Sequence, residues 1–255
     1  MKRSRVISKR NSEKLWFDEM SMKEAKEHAK TGRVVILPIG SVEEHGDHLP
    51  LCTDSIQPEY VAVEVAKKTK CIIAPTIRYG VCNFTRNFPG TISIRFDSLR
   101  NIVYDILGEL IRNGYTRILV LSGHADQAHM TALRLAAQVA LERYEKEIKN
   151  DKPRIMVCSD YDFAYELKGK YFSEKDGHAG AIETSRVMSI RPDLVEKRGK
   201  GSYPDLPRFE IVSDAKSYFP TGAMGDPTKA SAEKGKMINS YVIEHVAALV
   251  EELKR

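Results

Sequence analysis

No run in the chain approaches the roughly 20 apolar residues that a membrane-spanning helix needs. The N-terminus carries basic residues with no apolar stretch behind them, so it does not read as a secretory signal. Cysteine is scarce. Cys52, Cys71, Cys82 and Cys158 form no CxxC pair, and Cys71 and Cys158 sit in strand-like runs. That pattern excludes a disulfide framework and places the chain in a reducing cytoplasm, with buried thiols acting as small hydrophobes. Tryptophan occurs once, at Trp16. No linker rich in Pro, Gly or Ser divides the 255 residues, and no internal repeat is visible, so one domain is expected over 20–255. It follows a basic arm over 1–19.

The net charge of +5 is mild. Six basic residues (Lys2, Arg3, Arg5, Lys9, Arg10 and Lys14) fall at the start of the chain without interleaved aromatics. They read as a solvated tail and not as a nucleic-acid arm.

Short apolar runs alternate with amphipathic ones. Strands are predicted at 33–40, 71–75, 117–123 and 154–159. Helices are predicted from the Ser21–Glu24 capping box to Gly32, and over 58–68, from Asp97 or Ser98 to Gly114, and over 127–149, 181–190 and 230–254. Strands with apolar residues on both faces, separated by helices, imply an α/β fold with a mostly parallel sheet covered on both sides. The segment 200–228 is the least regular, and long loops of this kind are often functional.

The polar chemistry falls just after the apolar strands. The stretch "GSVEEHGDHLPLCTD" holds Glu43, Glu44, His45, Asp47, His48 and Asp54, and "SGHADQ" holds His124 and Asp126. Sites in open α/β sheets form at the carboxyl ends of strands. Imidazole with carboxylate suits one or two divalent ions, Zn, Mn or Fe(II), in a hydrolytic site. Asp54 could bridge two ions. Glu44, Asp47 and His48 are read as supporting or solvent-facing groups. A third stretch, "DGHAGAIETS", puts His178 and Glu183 at a helix start, where an imidazole can serve as general acid or base.

Together with "NFPGTIS" (87–93), these segments resemble the creatininase family of metal-dependent amidohydrolases. The similar segments span about residues 33 to 192. The resemblance implies a three-layer α/β/α sandwich, hydrolysis of a non-peptide C–N bond in a small-molecule substrate, and a homo-oligomer, commonly a hexamer. It implies Glu43, His45, Asp54 and His124 as metal ligands, with Asp126 or Glu183 beside them. His178 would be the proton shuttle and Glu183 a further catalytic group. Gly90 and Thr91 are expected near the oxyanion, and Arg86, with Arg78 and Arg95, near a substrate phosphate.

The sequence also departs from the pattern. Creatinine hydrolases stack their ring on tryptophan near the third motif, and Trp16 lies far upstream. A formamide such as a formylaminopyrimidine ribonucleotide is therefore the expected substrate. The alternatives are a creatinine-type cyclic amide, or a sugar-derived or peptide substrate. A non-catalytic metal-binding protein is the reading from another class.

Overall fold

The computed structural model describes residues 14–148, 151–197 and 199–255. Residues 1–13, most of the expected basic arm, lie outside the described residues. Four parallel strands form one sheet in the order β2-β1-β3-β4: β1 Val35–Ile39, β2 Ile72–Ile73, β3 Arg117–Ser122 and β4 Arg154–Ser159. Alternate residues serve opposite faces, as pleating requires. Val34, Ile36, Leu119 and Leu121 pack under helices α2 (Thr53–Thr69), α6 (Ala181–Ile190) and α7 (Ala232–Lys254). Val35, Leu37, Ile39, Ile118 and Val120 pack under α3 (Phe96–Arg112) and α4 (Gln127–Glu147). Both faces are buried, which is why the strands read as continuous apolar runs. The layers are α/β/α, as expected. Among the described residues, no helix is long and apolar enough to cross a membrane.

The helix after the Ser21 capping box, α1, covers Met22–Ala29, with both reciprocal cap bonds formed. A short α5 (Tyr161–Ala164) follows β4. β2 is shorter than predicted. Ile72 and Ala74 donate to β1, and beyond Pro75 the pairing resumes only as a single bridge at Ile77, which donates to the Pro38 carbonyl. Pro38 is tolerated inside central strand β1. The Val34 and Ile36 carbonyls bond toward β2, accepting from Ile72 and Ala74. The missing N–H of Pro38 falls on that same side, where β2 has already ended. Helix α3 starts two or three residues earlier than a cap at Asp97 or Ser98 predicts. Arg95 is its N-cap, and Asp97 lies in the first turn, where a carboxylate complements the helix dipole.

The larger correction concerns α2. Proline at a first helical position is favourable, which suggests a start at Pro58. The helix instead begins at Thr53 and keeps Pro58 inside. Pro58 forgoes the one bond it would have made to the carbonyl of Asp54, four residues back. Asp54 therefore belongs to the first turn of a helix, not to a loop.

The sheet order reverses between β1 and β3, and ligand sites of open α/β sheets form at such a switch point. Gly40 and Gly123 follow those two strands. A Cβ on either would overlap the Asp54 backbone carbonyl. Two glycines thus let the first turn of α2 cross the switch point at backbone contact. Gly123→Ala is expected to cost about 1–3 kcal/mol through overpacking and to displace Asp54. Chemical denaturation checks this, and an unchanged midpoint would mean that the close approach is not needed.

Candidate metal centre

The loop after β1 supplies Glu43 and His45, the first turn of α2 supplies Asp54, and the loop after β3 supplies His124. Glu183 comes from the first turn of α6. All five are buried. His45 Nε2 lies 3.1 Å from Asp54 Oδ1 and 3.5 Å from Glu183 Oε2. His124 Nδ1 lies 3.0 Å from both Asp54 Oδ2 and Glu43 Oε2. The two oxygens of Asp54 therefore face two different imidazoles.

Backbone carbonyls set the imidazole tautomers. His45 Nδ1 donates to the Glu43 carbonyl at 3.1 Å. His124 Nε2 donates to the Val81 carbonyl at 2.9 Å. In a neutral ring the other nitrogen then carries a lone pair, and that lone pair points at carboxylate oxygens. Acceptors facing acceptors need a cation or extra protons between them. A carbonyl-bonded ring with its free nitrogen presented is also how metal-ligating histidines are held. Glu43 Oε2 is buried without a hydrogen-bond partner among the described residues. The donor set fits one or two divalent ions.

In the metal-free chain the protons stay on the rings. Burial opposes this at His45, but Asp54, Glu183 and Glu43 outweigh it and raise the imidazole to about 10. His124 is likewise raised well above its ordinary value, with Glu43 and Asp54 overcoming burial. Burial resists ionisation of Asp54, yet the two imidazoles hold it well below the usual range. Burial wins at Glu183, which is raised despite His45 and His178.

His178 sits at the rim. Its ring lies 4.3 Å from that of His45, centroid to centroid. Nε2 donates to the Glu44 carbonyl at 2.8 Å and lies 3.3 Å from Glu44 Oε1. That leaves Nδ1 as the atom able to exchange a proton with a molecule in the cavity. Burial and His45 disfavour its proton, while Glu44, Glu43 and Glu183 outweigh them and raise it.

The sequence reading understated two residues. Glu44 is buried and holds His178, and the positive φ of Gly222 brings the 218–225 segment against its carboxylate. His48 is buried and bonds the Ala179 carbonyl at 3.1 Å and Thr184 Oγ1 at 3.0 Å, tying the first motif to the third. Asp47 is exposed, as expected of a solvent-facing group. Asp126 caps α4, accepting from the His129 N–H at 3.0 Å. Another buried polar link escaped sequence reading. Arg186 on α6 meets Asp160, just past the end of β4, at 2.6 Å, which ties the helix carrying Glu183 to the sheet. Its only sequence signal is one arginine within a helix that is otherwise mostly buried.

A cavity of about 400 Å³ opens on the cluster. Glu43, Asp54, His124, Asp126, His178 and Glu183 line it, with Phe84, Thr85, Tyr165 and Gln127 among the other walls. Arg86, Gly90 and Thr91 are not among its lining residues. Arg86 is exposed. The Thr91 N–H is committed to the Phe88 carbonyl, and Thr91 Oγ1 accepts from the Glu44 N–H at 3.0 Å. The "FPGT" segment therefore props the ligand loop and presents no free N–H from Thr91 to an oxyanion. Arg78 pairs with Glu59 at 2.5 Å, and Arg95 is exposed.

Paired carboxylate–imidazole sets around one aspartate, at the switch point of a parallel sheet, define a metal-dependent hydrolase. Comparison with known proteins specifies which kind. A family model described as creatinine amidohydrolase matches residues 18–250, and the chain belongs to the creatininase family, amidohydrolases acting on C–N bonds. It is 28% identical to the creatinine amidohydrolase of Pseudomonas putida, covering 94% of this chain and 98% of that protein. It is 31% identical to the mycofactocin precursor peptide peptidase of Mycolicibacterium smegmatis, over 84% of this chain and 83% of that one. A crystal structure of creatinine amidohydrolase superposes with a TM-score of 0.86 at 26% identity, covering 94% and 98% of the two chains. Structures of creatininase with manganese and of a mutant in a Zn–Zn form each superpose at 0.85, with 26% and 25% identity and the same coverage.

Metal binding should release protons, because ions must displace those on His45 and His124. Titrating zinc into metal-depleted protein at about pH 7 in weak buffer with an indicator dye is expected to release about one proton per imidazole. Affinity should fall as pH falls. Binding with no proton release would contradict the protonated state of the two rings described above.

Proposed function

We propose that the chain hydrolyses a small cyclic amide of the creatinine type at a two-ion centre. The observation that carries this reading is Asp54, whose two oxygens face two separate imidazoles. Glu43, Asp54 and His124 would hold one ion, and His45, Asp54 and Glu183 the other, with zinc or manganese as the ions. When bound, such ions supply a Lewis acid and a water acidic enough to ionise near pH 7.

The chain's own groups do the rest. Thr85 donates its hydroxyl proton to Glu43 Oε1, which keeps Oε2 directed at the centre. The His45 and His124 carbonyl bonds stop those rings from turning. The Ala179 N–H donates to Glu183 Oε2 at 2.6 Å and holds that carboxylate in place. Phe84 and Tyr165 give the substrate apolar walls. Half-buried Asp126 offers a carboxylate to an amino or imino group on the ring. His178, gripped by Glu44 through Nε2, passes a proton from Nδ1 to the departing nitrogen.

The substrate choice rests on charge. No Lys or Arg is among the described residues lining the cavity, so no permanent cationic side chain there meets a phosphate. That weighs against a formylaminopyrimidine ribonucleotide. It suits a small neutral or cationic ring, as does the likeness to creatinine amidohydrolase. Trp16 contributes nothing to this pocket, since it bridges to Ile73 at the β2 edge, and Phe84 and Tyr165 stand in as the aromatic walls. The same reading includes self-association of the chain. Exposed Ile102 on α3 and Leu135 and Val139 on α4 support it.

Metal-loaded protein is expected to open creatinine-type rings in a panel that also holds formamides, a sugar-derived ketone and a peptide. Turnover confined to the formamides or the peptide would overturn the cyclic-amide assignment. Bound metal with no turnover at all would favour a non-catalytic metal protein. His178→Ala should retain metal and lose about 10²–10⁴ in kcat. Full activity in that variant would remove His178 from the mechanism.

A further inference from the structure

Cys82 is fully buried on the segment between β2 and α3. Its Sγ, a Glu43 carboxylate oxygen and a His124 ring nitrogen all lie within 4.8 Å of one another. Glu43 Oε2, 97% buried as part of its residue, gives a second and independent indication. It has no hydrogen-bond partner among the described residues, yet it lies 3.0 Å from His124 Nδ1. A buried carboxylate oxygen so placed, beside an imidazole and a thiol, makes a set of three donors suited to a divalent cation.

The backbone holds the thiol in this position. The Cys82 N–H donates to Ser93 Oγ at 2.9 Å. The carbonyl just before it, that of Val81, accepts from His124 Nε2 at 2.9 Å. Val81 N–H in turn donates to His129 Nδ1 at 3.3 Å. One short stretch of chain therefore orients His124 and delivers a sulfur to the same end of the centre.

We propose that Cys82 is a thiolate ligand to the ion held by Glu43 and His124, and that it makes this position selective for zinc over manganese. The inference rests on the two-ion reading given above. As the sulfur–metal bond forms, the thiol proton leaves to solvent, and nothing is oxidised or reduced. Thiolate is a soft donor that favours zinc, whereas a carboxylate-rich set also suits manganese. The His45–Asp54–Glu183 end has no sulfur and would discriminate less. The two positions of the centre would then differ in metal preference.

Cobalt(II) added to metal-depleted full-length protein tests this without an activity readout. Wild type should show visible ligand-field bands together with strong near-ultraviolet sulfur-to-cobalt absorption. Cys82→Ser should keep the visible bands and lose the ultraviolet one, although Cys52, Cys71 and Cys158 remain. Its zinc affinity should fall by at least the roughly 10–100-fold typical of losing an outer-shell partner. Manganese affinity should fall less, narrowing the zinc preference. Cys82→Ala, which places no polar group in the pocket, serves if the serine variant does not fold. Visible cobalt bands in wild type without the sulfur band would overturn the thiolate role and leave the two-ion reading standing. Absence of cobalt bands altogether would overturn that reading and the inference with it.

Discussion

Asp54 faces His45 with one oxygen, at 3.1 Å, and His124 with the other, at 3.0 Å. The rest of the structure depends on keeping that carboxylate there. Burying an ionised carboxylate costs several kcal/mol unless charge and hydrogen bonds compensate, and Glu43, Asp54 and Glu183 are all buried within one cluster. Ser41 Oγ donates to Asp54 Oδ2 at 2.5 Å. The His45 and His124 imidazoles supply the remaining compensation. Gly40 and Gly123 provide the space that brings the first turn of α2 within reach of both.

Further contacts keep His178 in register with this cluster. Glu44 holds His178, and His48 holds the backbone at Ala179 and the hydroxyl of Thr184. The buried Arg186–Asp160 pair anchors α6 at the end of β4. Burial pushes the Asp160 carboxyl upward and the guanidinium pulls it back. Removing either partner of such a pair leaves an uncompensated buried charge. Helix α6 is thus fixed on the sheet by polar contacts as well as by its apolar side, so Glu183 is presented from a rigid element.

Much of this was legible in the sequence because the physics is local. Apolar runs such as "RVVILPIG" mark strands covered on both faces, and the polar residues that follow must sit at the strand ends. Of the residues read as ligands, Glu43, His45, Asp54, His124 and Glu183 converge in one cluster, while Asp126 caps α4 at the cavity wall. What was not legible depends on contacts between distant segments. Pro58 looked like a helix start because proline favours that position, and nothing nearby reveals that Asp54 belongs to the first turn. Arg86 looked like a phosphate ligand by its nearness to "FPGT", but side-chain direction is set by tertiary packing and it points outward. Glu44 and His48 were undervalued because their partners lie more than 130 residues away. Cys82 was passed over because a lone cysteine carries no spacing signal.

Fold and centre place the chain in the creatininase family, and the cavity wall decides what it hydrolyses. Beside its two imidazoles that wall is aromatic and acidic, and among the described residues it has no Lys or Arg. X-ray diffraction from zinc-loaded crystals at the zinc absorption edge tests most directly whether a metal pair shares Asp54. Two anomalous peaks are expected, one on each side of the Asp54 carboxylate, the first against His124 and the second against His45. A single peak away from Asp54, or none in fully loaded crystals, would contradict the account.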